Sequence, residues 1–322
     1  METTGDMKAL FTNAGRRTYL VEFGLDLEAT GYPVQIHVSD CSEFNAAMHV
    51  APTGRAHLLP PVLNDPELYV AGLLDLVERE RFEVIFPLSD LDPMILSERR
   101  DEFAQRGCQL IVSASDVIAR CNDKRLTFQF CREAGLPTPE CWGDPASYDG
   151  PFPAIQKPIL GSGSSGLIRV NDRGGFLGFR TGHDMIQPYI EGTEYGLDIL
   201  NNLKGEFVAV CVKEKLLMRA GETDKAKVIR DPDLERLGVA IAMAFRHIGN
   251  LDCDVLRAHS GALYCIDFNP RFGGGYPATH LAGFNYLRAI LDMVRGQHLN
   301  LPSAPRPVVV MKGISLYWCD AQ

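Results

Sequence analysis

The chain has 322 residues, enough for two or three lobes around a sizeable core, and its 46% hydrophobic and 23% charged content is ordinary for a globular fold. A net charge of −9 argues against nucleic acid as the main partner, and no apolar run approaches the roughly 18 residues of a membrane helix. The opening residues METTGDMKALFTN lack the basic-then-apolar pattern of a secretory signal. Nine cysteines form no CxxC pair and eight dispersed histidines form no HExxH, which points to reduced thiols in a cytoplasm rather than to disulfides or zinc.

In chain order, MKALFTNAG reads as a buried strand ending in a turn, RRTYLVEFGLDLEATG as a helix stopped by Gly31, and YPVQIHVSD and FEVIFPLSD as further strands. MILSERRDEFAQRG reads as one helix and CQLIVSAS as a strand. This alternation implies a parallel sheet with crossover helices, in which ligands bind beyond the C-terminal strand ends. Asn13, Gly15, Arg16, Asp40, Ser89, Asp90 and Asp92 lie at those ends.

After about Ser113 the pattern changes. NDKRLTFQFCREAGLPTPEC is a helix capped by Asn122 or Asp123 and stopped by Gly135. Strands with glycine-rich connections follow: PFPAIQKPIL, GLIRVND, TEYGLDIL and EFVAVCVKEK. The segment LLMRAGETDKA, residues 216–226, reads as a charged loop leading to a helix at DPDLERLGVAIAMAFRHIG.

The most informative segment is LDCDVLRAHSGALYCIDFNPRFGGG. Two strands flank a Ser260–Gly261 turn. If those two residues are the turn, Asp254 faces Asp267 and Asp252 faces Asn269, all on one side of the ribbon. Opposed carboxylates repel and call for a cation. An oxygen-only donor set suits a hard ion such as Mg²⁺, which keeps waters and also holds phosphates. The alternative is a solvated face of an edge hairpin. Arg271, just past the acids, could grip a phosphoryl group bidentately, and the following glycines could let backbone approach a ligand.

A second segment, IQKPILGSGSSGLIRV, contains GxGxxG. A strand follows where a dinucleotide site needs a helix, and GK[ST], HRD and DFG are all missing. What remains is a Gly/Ser hairpin able to cover phosphates with its N–H groups, flanked by the cation Lys157; a plain surface hairpin is the alternative. Lys124 sits in a first helical turn, where the dipole disfavours a cation. The extended stretch 187–190 precedes a turn at Gly192 and a strand that opens with Glu194.

Taken in order, NDK, IQKPILGSGSSG, QPYIEGTEYGLDIL and DCDVLRAHSGALYCIDFNPR resemble the ATP-grasp family over about residues 115–320. The style is similar to the ATP-grasp halves of carbamoyl phosphate synthase large subunits and to small amino-acid ligases. The resemblance implies an α/β and α+β architecture. A Rossmann-like domain would span 1–115, an ATP-grasp lid subdomain with the Gly-rich loop 116–190, and a C-terminal subdomain with metal and substrate sites 191–322.

The resemblance also implies site roles. Lys124 and Lys157 would contact ATP. Gly161, Ser162, Gly163, Ser164, Ser165 and Gly166 would form the mobile phosphate loop. Gln187, Pro188, Tyr189 and Ile190 would form the adenine-binding hinge, Glu194 would bind ribose, and Lys213 would reach a phosphate. Asp254, Asp267 and Asn269 would ligate Mg²⁺, as two ions or with Mn²⁺ in its place. Arg271 and Lys157 would act on the transferred phosphoryl group. Asp267 departs from the family's more common Glu, and Pro188 stands where the hinge often holds an acid.

The implied chemistry is activation of a carboxylate by the γ-phosphoryl group of ATP, then attack by an amine, releasing ADP and phosphate. Arg219, Glu222 and Lys225, with Asp90 and Arg16 from the first domain, are the candidates for substrate contact. The expected partners are a small carboxylate and an amine, without nucleic acid or membrane, in a cytoplasmic protein for which a homodimer is one assembly. Two alternatives stand beside this: a carbamoyl-phosphate-type subunit phosphorylating bicarbonate or carbamate, and a non-catalytic ATP-binding module.

Overall fold

In a computed structural model, which describes residues 5–161 and 166–319, three sheets are built in succession along the chain. The first region runs β1 (Met7–Thr12), α1 (Thr18–Ala29), β2 (Val34–Asp40), α2 (Ala46–Val50), β3 (Ala56–Leu58), α3 (Pro66–Glu80), β4 (Val84–Pro87), α4 (Asp92–Leu96), α5 (Arg100–Ala104) and β5 (Gln109–Leu110). Its strands form a parallel sheet in the order β3-β2-β1-β4-β5. Strand order reverses beside β1, so the crevice at the ends of β1 and β4 is a topological switch point.

Sequence reading missed α3 although its signals are present: Asp65 accepts a bond from the Leu68 N–H at 2.9 Å, Pro66 follows, and Tyr69, Val70, Leu73, Leu76 and Val77 are buried at helical spacing. The expected single helix over MILSERRDEFAQRG is two short ones. The chain turns at 97–99, where the Ser97 and Arg99 N–H groups bond to the Pro93 and Leu96 carbonyls.

Two helices follow, α6 (Ser115–Asn122) and α7 (Lys124–Glu133), the latter capped by Asp123 as expected. β6 (Ala154–Pro158), β7 (Ile168–Val170) and β8 (Asp184–Pro188) make a three-stranded sheet with β6 in the centre. Helices α6 and α7 do not simply belong with this small sheet. Val117, Cys121 and Cys131 pack into the core of the sheet that follows, while Phe128 touches Ile159 and Met185 beside the small one. Helix α7 therefore spans the junction.

The remaining elements are β9 (Gly192–Asn201), β10 (Phe207–Arg219), β11 (Glu222–Ile229), α8 (Pro232–Phe245), β12 (Gly249–Ala258), β13 (Leu263–Asn269), α9 (Tyr276–Leu281), α10 (Tyr286–Val294) and β14 (Val309–Met311). The six strands form one sheet in the order β13-β12-β9-β10-β11-β14. The segment read as a loop over 216–226 is instead a hairpin turning at Ala220 and Gly221, both with positive φ. Alternation then divides the large sheet into two faces. Leu197, Ile199, Val212, Leu251, Cys253 and Val255 pack against Leu234, Leu237, Ile241 and Phe245 of α8. On the other face, α9 and α10 close one end with Tyr276, Tyr286, Leu287 and Leu291, in a core continuous with Ala9, Phe11 and Ile36 of the first sheet.

Asp231 anchors α8. Its carboxylate caps the Asp233 and Leu234 N–H groups at 3.1 Å and takes a bidentate pair from Arg257 of β12 at 2.7 and 2.9 Å. Those Arg257 bonds hold the carboxyl below its usual range despite partial burial. A depressed carboxyl stabilises the fold above its unfolded pKa of about 3.9 and loses that contribution as pH falls. Asp231→Ala is expected to cost about 1–2 kcal/mol at neutral pH. The difference from the parent should shrink as pH drops below about 4, which urea melts across the acid range would show.

Candidate active site

Glu194, Gly196 and Asp198 of β9, Lys213 and Lys215 of β10, Asp252 and Asp254 of β12, and Asp267 and Asn269 of β13 occupy alternate positions of neighbouring strands. The ladder pairs Asp254 with both Gly196 and Asp267, and Asp252 with both Asp198 and Asn269. The acids thus stand opposite one another as expected, but two departures cancel to put them there. The turn is His259–Ser260–Gly261, one residue longer than read from the sequence, with the Ala258 N–H bonded to the Ala262 carbonyl. A bulge at Ile266, between the Asp254–Asp267 and Val255–Cys265 pairs, restores the register.

These side chains line a cleft of about 400 Å³. Glu194, Asp252, Asp254, Asp267 and Asn269 come from the large sheet, Lys157 from β6 and Lys124 from the start of α7. Arg17 and Asp90 reach in from the first sheet. Cations are set against the acids. Lys215 Nζ lies 2.6 Å from both Glu194 Oε1 and Asp254 Oδ1, and Lys124 Nζ bonds the Gly161 carbonyl at 2.5 Å while standing 3.9 Å from Asp267. Arg271 Nε donates to Asp90 at 2.6 Å, its Nη2 donates to Asn269 Oδ1 at 3.3 Å, and its Nη1 is 3.8 Å from Asp252.

Burial holds Asp254 above the usual carboxylate range against the pull of Lys215. Burial alone would lower Lys215, but Asp254 and Glu194 outweigh it and keep the ammonium charged. Lys157, enclosed beside the Phe128 ring at 5.0 Å, is lowered by burial to about 8, with Asp267 opposing the shift and Lys124 adding to it.

The structure redirects several expectations. Lys213 is 1% exposed and salt-bridged to Asp198 at 2.5 Å, a carboxylate that also takes the Thr279 hydroxyl, so it is a buried strut. Lys215, two residues on and on the same face, is the cation in the cleft. Of the hairpin residues proposed for substrate, Glu222 lines the cleft. Arg219 pairs with Asp224 and Lys225 is exposed, and neither is among the residues that line the cleft. Arg16 contributes backbone to the turn Ala14–Arg16, and the expectation for its side chain lies outside what the structure describes. The neighbouring Arg17 bonds Glu222 Oε1 at 2.6 Å and the Phe272 carbonyl at 3.2 Å.

Gln187 is buried against Cys141, its backbone pairs with Ile155, and the Tyr189 N–H goes to the Pro153 carbonyl. Residues 187–190 therefore lie off the described cleft wall. Asp92 is fully buried and taken up by Thr12 and Asn13, which removes it as a substrate contact. Asp40 is likewise committed to the Gly15 and Cys41 N–H groups. Gly161 and Gly166 flank Ser162, Gly163, Ser164 and Ser165, which are outside the described residues.

The glycines that follow Arg271 and Phe272 serve side chains as much as any ligand. A Cβ at Gly273 would stand 2.0 Å from Asp252 Oδ2, and one at Gly274 2.9 Å from Glu222 Oε2. As to a metal, no three His, Cys, Asp or Glu side chains among the described residues converge closely enough to hold an ion by themselves. Asp254 and Asp267 with the Asn269 amide fit a hard divalent ion that takes its remaining ligands from water and phosphate.

Parallel first sheet, small central sheet, large antiparallel sheet and a carboxylate-and-lysine cleft between them make up an ATP-grasp fold. Residues 121–275 match the ATP-grasp domain model and residues 9–111 the PylC-like N-terminal domain model, so the chain carries an ATP-grasp domain behind a PylC-like N-terminal domain. No curated protein matches the chain. Among solved structures it is similar to N5-carboxyaminoimidazole synthetase from Staphylococcus aureus complexed with ADP (15% identity, TM-score 0.75, 95% of this chain and 82% of that one). It is similar also to L-amino acid ligase from Bacillus licheniformis (16%, 0.69, 90% and 74%). A third similar structure is the biotin carboxylase domain of Hydrogenobacter thermophilus 2-oxoglutarate carboxylase, in complex with MgADP, ADP and bicarbonate (17%, 0.71, 93% and 71%). At these identities the likeness is one of fold. No helix among the described residues is long and apolar enough to cross a membrane.

Lys215→Met should leave Glu194 and Asp254 without their cation. A loss of about 3–5 kcal/mol is expected in chemical denaturation, as for breaking a buried pair from one side. Adding Asp254→Asn to that variant should recover part of it.

Proposed function

We propose that this chain is an ATP-dependent carboxylate–amine ligase that works through an acyl phosphate and releases ADP and phosphate. The observation that carries this reading is the convergence of Lys124, Lys157 and Arg271 with Asp254, Asp267 and Asn269 on one cleft. Lys157 and Lys124 would hold the nucleotide's phosphates, and Glu194, at the mouth of β9, its ribose. Asp254, Asp267 and Asn269 would hold Mg²⁺, which when bound neutralises charge on the phosphate oxygens.

A carboxylate oxygen of the substrate attacks the γ-phosphorus in line, and the bond to the ADP oxygen breaks. The amine nitrogen then attacks the acyl carbon, phosphate leaves, and the nitrogen loses a proton. Catalysis of such a transfer is mostly positioning and charge neutralisation. Arg271 fits that task because Asp90 and Asn269 hold its guanidinium in a fixed orientation at the edge of the cleft.

With Mg²⁺ and ATP, phosphate and ADP should appear only when an accepted acid is present. Release of AMP and pyrophosphate would refute the mechanism, and stimulation by bicarbonate alone would favour the carbamoyl-phosphate-type reading instead. Lys157→Ala and Asp267→Ala should each lower turnover at least about a hundredfold with the circular dichroism spectrum unchanged. Turnover that survives both changes would sink the residue assignment.

Because free Lys157 loses its proton near pH 8, phosphate binding should pull it back to the ammonium form. Calorimetry above pH 8 should then show proton uptake on Mg–ATP binding, and Lys157→Met should abolish it.

A further inference from the structure

A second cavity, of about 500 Å³, lies between the cleft and the ends of β1 and β4. The two spaces share Arg17, Asp90, Lys124, Asp267, Asn269 and Arg271, so they meet along a charged seam. Beyond the seam the second cavity becomes apolar. Leu88 and Leu91 follow β4, Pro93 and Met94 come from α4 and Ile118 from α6. Of the polar groups at this end, Asn13 donates to Asp92 and Ser89 Oγ accepts the Leu91 and Asp92 N–H groups at 3.1 Å, while Cys121 and Asn122 also line it. Leu91, Met94 and Leu160 are 38, 45 and 57% exposed where they line it, so apolar surface is left facing solvent in a recess. A volume of roughly 300–1,000 Å³ is usual for small-molecule sites.

We infer that this cavity holds the body of the acid substrate, and that this body is uncharged and apolar, of the size of a leucine, methionine or phenylalanine side chain. The carboxylate lies at the seam beside Arg271 and Lys124, facing the nucleotide cleft. The hydrocarbon body runs toward Met94 and Ile118. A second charge on that body would lie among Leu91, Met94 and Ile118, whereas the charged lining residues Arg17, Asp90, Lys124, Asp267 and Arg271 belong to the seam. The role of the bound acid rests on the ligase reading above; its place and its apolar character rest on the cavity. An apolar α-amino acid and a simple fatty or aryl acid share this chemistry.

The test is calorimetric binding to the full chain with Mg²⁺ and a non-hydrolysable ATP analogue present. The probes are leucine, methionine, phenylalanine and 4-methylpentanoate, against glutamate and lysine. At least one apolar acid should bind tenfold or more tighter than either charged one. Affinity along an unbranched series should rise about fourfold per added methylene until the recess is filled. Leucine against 4-methylpentanoate tells whether the ammonium group contributes. Met94→Lys should weaken apolar binding at least tenfold with nucleotide affinity unchanged, and Met94→Leu should retain it.

Equal or tighter binding of the charged acids, no binding by any apolar acid, or indifference to Met94→Lys would overturn the inference. Binding of an apolar acid without turnover of ATP would refute the ligase reading and leave the cavity's assignment standing. Turnover supported only by charged acids would do the reverse.

Discussion

Like charges held face to face set the terms for the rest of this structure. Asp252, Asp254 and Asp267 stand on adjacent strands at paired positions, where mutual repulsion opposes ladder formation. The fold brings cations from three separate parts of the chain. Lys215 arrives along β10, Lys124 at the head of α7, and Arg271 from the chain just after β13. The mutual placement of the sheets is thus coupled to electrostatic balance in the cleft. The first sheet takes part as well, because Asp90 orients Arg271 and Arg17 braces Glu222.

The same face explains why glycine recurs around it. Lys213 and Lys215 lie across from Gly196, where a Cβ would come within 3.2 Å of Lys213 Cε. Gly273 makes room for Asp252. Where charged side chains cross above a sheet, the backbone beneath them has to be bare.

The pattern of the sequence was legible wherever chemistry depended on local alternation. D-C-D followed by D-F-N puts oxygens on one side of a ribbon whatever lies around it, and Asp123 caps its helix by geometry internal to a few residues. The difficulties arose from long-range pairing. Lys213 and Lys215 share a face, and only the register of β10 against β9 decides which meets Asp198 in the interior and which meets Glu194 at the cleft. Arg16 and Arg17 differ by one residue on a tight turn that periodicity does not describe. The hairpin at 216–226 reads as a loop because Arg219, Glu222, Asp224 and Lys225 crowd around Gly221, yet Thr223 and Ala226, with Val228 just beyond, are buried. Helix α3 differs: its cap, proline and apolar spacing are all local signals present in the sequence.

The paired departures in the β12–β13 ribbon carry a consequence for how this protein can diversify. The three-residue turn and the bulge at Ile266 offset each other, so neither length is free by itself. One residue gained or lost in the turn with the bulge retained would rotate Asp267 and Asn269 to the α8 side and bring Phe268 into the cleft. Insertions and deletions here must therefore come in compensating pairs, which makes this ribbon a yardstick whose two ends are cut to a single length.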